Sequence, residues 1–119
     1  MNRFEKQGIT KELIKGRKII ICGSTVYMSH IFREILDELE EQQVQTDKVN
    51  RANGLELIRV GAGELSFARS PDALRGQEAD IVLFSVFLRD NKNFRETWFT
   101  NAQLVTQHSN HRYIDVISG

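Results

Sequence analysis

Five basic side chains, Arg69, Arg75, Arg89, Lys92 and Arg95, fall around the C-terminal end of the apolar run ADIVLF (residues 79–84). In an open α/β sheet, ligands bind at the carboxyl ends of the strands, so cations gathered there suit a phosphate or nucleic-acid contact. The competing reading is a set of solvated loop arginines paired with Asp72, Glu78 and Asp90. Gly23-Ser24-Thr25, between a strand-like run and a helix-like one, could hold a phosphate at a helix N-terminus.

Other reactive types carry less. His108 and His111 have no Cys, Asp or Glu at ligand spacing, and a polar loop before a strand accounts for them. His30 reads as packing at a helix boundary. Cys22 lies in an apolar run and reads as an inert core thiol. Glu34, Asp37, Glu38, Glu40 and Glu41 read as a solvated helix face, and Phe94, Trp98 and Phe99 as core aromatics rather than base-stacking ones. No metal site and no resident cofactor are expected.

The positioning elements follow from the periodicities. Ile19–Cys22 is short, continuous and β-branched, as in a strand covered on both faces. Met28, Ile31, Phe32, Ile35, Leu36 and Leu39 then recur at helical spacing. Strand followed by helix implies a crossover to a second parallel strand, and ADIVLF supplies it. Residues 1–15 form a short helix at best, with Thr10 as N-cap and Gly16 as its end. After a polar stretch, Asn53-Gly54 signals a turn. LELIRV and ELSFAR form a hairpin across Gly61-Ala62-Gly63, whose two glycines can supply positive φ. Residues 91–108 carry Phe94, Trp98, Ala102 and Val105 at helical spacing, and RYIDVIS reads as a last strand. The order helix, strand, helix, hairpin, strand, helix, strand is a three-layer α/β pattern on a mainly parallel sheet.

The 119 residues suit a single domain, 1–119. Sixteen basic and sixteen acidic side chains cancel, so the whole chain has no electrostatic footprint for nucleic acid or membrane. One cysteine, no signal-like N-terminus and no apolar run near the roughly 20 residues of a membrane span point to a soluble cytoplasmic protein.

Taken in order, GRKIIICGST, MSHIFREILDEL, the ANG turn, the glycine-bearing hairpin, FARSPDALRGQEADIVLF and HRYIDVIS resemble the ATPase domain of the large terminase subunit of tailed bacteriophages, the motor that packages DNA. The resemblance spans residues 16–118 and implies a truncated RecA-like P-loop core with a hairpin insertion. Two departures stand out. No GxxxxGK[ST] loop occurs in these residues, and Ser85 and Val86 stand where the family's Walker B strand ends in Asp-Glu. A hydroxyl holds magnesium weakly and valine cannot activate water, so the expectation is a non-catalytic, phage- or prophage-derived binding protein, host-cytoplasmic if viral. It would serve as accessory to, or competitor of, a DNA-processing machine. The alternatives are an ATPase half-site completed by a partner chain and an unrelated small α/β nucleotide-binding enzyme. In this class the Walker A strand neighbours the strand matching residues 112–118. The resemblance therefore implies a free edge carrying Tyr113, Ile114, Val116 and Ile117, open to a homodimer or another protein, with DNA a further possible partner.

Overall fold

A computed structural model describes residues 1–52 and 54–118. Asn53, half of the expected Asn53-Gly54 turn, lies outside the described residues; Gly54 has φ +86°. The elements are α1 (Arg3–Ile14), β1 (Lys18–Cys22), α2 (Thr25–Glu41), β2 (Lys48–Asn50), β3 (Leu57–Val60), β4 (Gly63–Ala68), α3 (Pro71–Leu74), β5 (Ile81–Ser85) and α4 (Val86–Arg89). A π-helical turn (Arg95–Phe99), α5 (Thr100–Val105) and β6 (Tyr113–Ile117) complete them.

The strands form one sheet in the order β2-β3-β4-β1-β5-β6. β1 is parallel to both β4 and β5, and β5 is parallel to β6, whereas β2, β3 and β4 pair antiparallel. The three-layer α/β architecture is as the periodicities require, and the antiparallel side makes the sheet mixed. Alternate residues of β1 serve the two faces. Ile19 and Ile21 join Leu13 of α1 and Met28, Ile31 and Ile35 of α2 in one core, while Ile20 and Cys22 join Leu74, Phe84, Trp98 and Ala102 in the other. Each such aliphatic side chain, fully withdrawn from water, contributes about 1.5–3 kcal/mol.

Several local expectations are corrected. α1 starts not at Thr10 but at Asn2, whose side chain accepts the Glu5 amide (2.8 Å) while Glu5 accepts the Asn2 amide (3.0 Å), a reciprocal cap. Thr10 is buried in mid-helix. Gly61 supplies positive φ in the hairpin (+56°), but Gly63 does not; it is the first residue of β4, so close to α1 that a Cβ would collide with the Leu13 carbonyl. The polar stretch before the hairpin contains a strand, β2. Glu38 is not solvated but buried, accepting from the Gln42 amide (3.0 Å), which also donates to Thr10 (3.2 Å). His30 is exposed, 3.5 Å from Glu34, rather than packed at a boundary.

The expected helix over 91–108 is assembled from pieces. Phe99 N donates to Phe94 O (3.0 Å) and the Thr100 hydroxyl to Arg95 O (2.8 Å), both spanning five residues, which widens the turn. The wide turn brings Phe94 and Trp98 edge-on against Phe84, with centroids 4.8 and 6.2 Å away. These aromatics are core, as their spacing indicated.

Candidate functional site

The carboxyl ends of β1, β5 and β6 meet where a ligand would sit in a sheet of this type. Short side chains and one phenol close that end. Ser24 caps α2 by accepting the Tyr27 amide (3.3 Å), and Ser85 caps α4 by accepting the Phe87 amide (3.3 Å). Gly23 is hemmed in by Tyr27, Met28 and Ser85. Tyr27 Oη donates to Ser118 O (3.4 Å), and burial, aided by the nearby Glu5 charge, pushes the phenol up to about 12. The Ser24 hydroxyl is therefore engaged in the cap, while Ser85 ends β5 as the N-cap of α4 and Val86 opens that helix, neither bearing a carboxylate.

The five cations divide into three sets. Arg69 Nη2 donates to both oxygens of the buried Glu56 carboxylate at 2.8 Å, and Glu56 also accepts the Gly54 amide (3.0 Å). Burial raises the Glu56 pKa, but the Arg69 hydrogen bond and charge outweigh it and hold the carboxyl below its ordinary 4.5. This pair clasps the open end of the β3–β4 hairpin. Arg75 meets Asp72 at 3.4 Å in solvent. Arg89, Lys92 and Arg95 come together, lining one groove with Phe94, Phe99, Ile114 and Val116.

That groove, about 570 Å³, runs along one face of β6. A second, about 710 Å³, runs along the opposite face between β6 and α1, with Ile81, Leu83 and Ile117 in its floor. β6 is one of the two edge strands among the described residues, the other being β2, and its ladder partner is β5. Tyr113 N donates to Asp80 O in the preceding strand segment (3.0 Å), so by strand alternation the amides of Ile114 and Val116 point away from the sheet. α1 does not cover this edge as a strand; Glu5 touches its end, accepting the Ser118 amide (2.8 Å).

Of the expected edge residues, Tyr113 is exposed, Ile114 and Val116 are half-buried on the cationic face, and Ile117 is buried in the α1/α2 core. Asp115 was not among them. Its Oδ1 accepts the outward Val116 amide at 2.7 Å, and its Oδ2 accepts the Tyr113 hydroxyl at 2.6 Å. A lone acid within an apolar strand, YIDVI, is the sequence signal for such an edge. Among the described residues no three His, Cys, Asp or Glu side chains converge as a metal site, and no helix is long and apolar enough to cross a membrane. Burial pushes the Cys22 thiol far up, as expected of an inert core cysteine.

No family model matches the sequence, and no curated protein matches it. Among solved structures, the fold is similar to the large terminase of a thermophilic bacteriophage, with a TM-score of 0.60 and 12% identity. The similarity covers 84% of this chain and 26% of that one, so these residues span about a quarter of the terminase's length. What the likeness shows is a terminase-like α/β fold.

Proposed function

We propose that this chain is a terminase-like phage or prophage protein that works by binding, with the open edge of β6 as its docking element, and that it does not hydrolyse ATP by itself. The observation that carries the reading is the edge: outward amides on Ile114 and Val116, with a groove on either face. Main-chain groups along such an edge supply affinity to an added strand, and the flanking grooves supply specificity. Against catalysis by these residues stand Ser85, the N-cap of α4, and Val86, its first residue, neither of which carries a carboxylate. The terminase-like machine that this chain would assist or compete with is an analogy drawn from the likeness of fold, with no contact behind it.

Solution mass by light scattering, with and without short duplex DNA, tests it. An assembly, either homomeric or with a co-purified protein, that dissociates when Val116 is replaced by proline supports docking through β6. A monomer that shifts only on adding DNA, with the shift lost when Arg89, Lys92 and Arg95 become alanine, replaces it with a nucleic-acid function.

A second reading is favoured by the same open position beside β6: a partner strand could bring a phosphate loop and complete an ATPase. ATP turnover by the reconstituted complex, absent from either part, would establish it.

A further inference from the structure

Resting on the edge-docking reading above, we infer that the strand accepted by β6 is an acidic one: an extended peptide segment alternating apolar with Asp or Glu side chains. Side chains of an added strand alternate between the two faces, level with those of β6. On the face of Ile114 and Val116 they meet Arg89, Lys92 and Arg95, none of which forms an ion pair among the described residues. Glu96 is on the same rim and Asp115 at its margin, but the Asp115 carboxylate is held by Tyr113 and Val116. On the other face the side chains meet a floor of Ile81, Leu83 and Ile117 beside Phe4, which is 87% exposed at the lip; the rim there is polar, with Lys15 and Arg17 paired to Glu12 and with Arg112 at its end. Acidic side chains toward Arg89, Lys92 and Arg95, and apolar ones toward the Ile81, Leu83 and Ile117 floor inside its polar rim, are the complement of this pair of grooves.

Two other occupants fit less well. A second copy of β6 would present Ile114 and Val116 to the cationic face, leaving the three charges uncompensated, and a centred antiparallel register would set Asp115 opposite Asp115. A single-stranded nucleic acid needs stacking faces. Phe94 and Phe99 are half-buried, and their rings are spent on Phe84 and on each other. Docking also requires that the incoming carbonyl take the Val116 amide from Asp115.

The test uses capped peptides about the length of β6, one alternating valine with glutamate, one valine with lysine and one valine with glutamine, together with an oligothymidylate. Binding to the full chain is followed by calorimetry, and hydrogen exchange of the Ile114 and Val116 amides is recorded alongside. The expected result is glutamate peptide at least about tenfold tighter than lysine peptide, slowed exchange at both amides, and inverted order in the R89E/K92E/R95E variant. Equal affinity for all three peptides, with the same exchange protection, overturns the acidic partner and leaves edge docking standing. Peptide binding without protection of those amides, or no peptide binding at all, overturns both. Oligothymidylate bound in place of every peptide overturns both in favour of nucleic acid.

Discussion

Asp115 Oδ1 lies 2.7 Å from the amide nitrogen of Val116, so the edge strand occupies one of its own outward donors with its own carboxylate. The Tyr113 hydroxyl, at 2.6 Å from the other oxygen, holds that carboxylate in place. Sheet edges invite unintended pairing, and a charged side chain folded back along the edge discourages it.

Replacing Asp115 with alanine frees the Val116 amide and removes the charge. Fold stability should fall by only about 0.5–1.5 kcal/mol, the net worth of ordinary hydrogen bonds. Self-association should rise, with light scattering showing a mass that grows with concentration. An unchanged mass across the concentration range would show that Asp115 does not guard this edge.

The Glu56–Arg69 clasp is a pair whose acid is buried and whose arginine is largely so. Glu56→Ala leaves a shielded guanidinium without its carboxylate and should cost about 3–5 kcal/mol. Substituting both residues with apolar side chains of similar size should recover most of that loss. Urea titration of the two single variants and the double variant measures the coupling; additive losses would mean that the pair does not act as a unit.

Two glycines in one hairpin should respond differently to alanine. At Gly63 the added methyl meets backbone, the Leu13 carbonyl, so α1 must lift from β4; the cost should be about 3 kcal/mol or more. At Gly61 the methyl enters open space, and the cost is the left-handed φ of +56°, about 1–2 kcal/mol. Thermal melts of the two variants rank them, and equal losses would contradict the close approach of α1.

Stability should fall in acid. For Glu5, Glu56 and Asp80, burial opposes ionisation, but hydrogen bonds outweigh it: from Ser118 to Glu5, from Arg69 to Glu56, and from the Lys18 amide and Ser109 to Asp80. Each carboxyl is thus held below its ordinary value, 4.5 for the glutamates and 3.8 for the aspartate. Because the folded state binds these protons less readily, the associated stability is present above the ordinary values and lost as pH drops through the lowered ones. The urea midpoint should hold level from neutrality to about pH 5 and then decline. Glu56→Gln should start lower and decline less; a parallel decline would remove Glu56 as a contributor.

What could be read in the chain were the features whose cause is local. The continuous runs of β1 and β5 and the stripe of α2 each state their own burial, and the structure places them as read. β2 could not be read that way: Lys48, Val49 and Asn50 form a strand because β3 lies beside them, with Lys48 opposite Arg59. The burial of Glu56 likewise depends on Arg69, thirteen residues away on the far arm of the hairpin. The basic residues shared a region of sequence, and tertiary pairing sorted them, drawing Arg69 into the clasp and leaving Arg89, Lys92 and Arg95 at the groove. Asn2 and Glu5 did carry the local signature of a reciprocal cap, and Asp115 that of a guarded edge.

The place of β1 bears on the order in which the molecule assembles in time. Ile19 pairs with Leu65 and Ile81, which follow it by 46 and 62 residues, whereas Val60 pairs with Gly63 across a tight turn. Closing long loops is slow, so the β3–β4 hairpin can form while β1 still waits for both neighbours. During synthesis KIIIC leaves the ribosome long before either flanking strand exists, with α1, already made, and then α2 the elements able to shield one of its faces. The strand that ends at the centre of the sheet is thus the one that spends longest unpaired, and the interval before β4 and β5 arrive is when the chain is most exposed to misassembly.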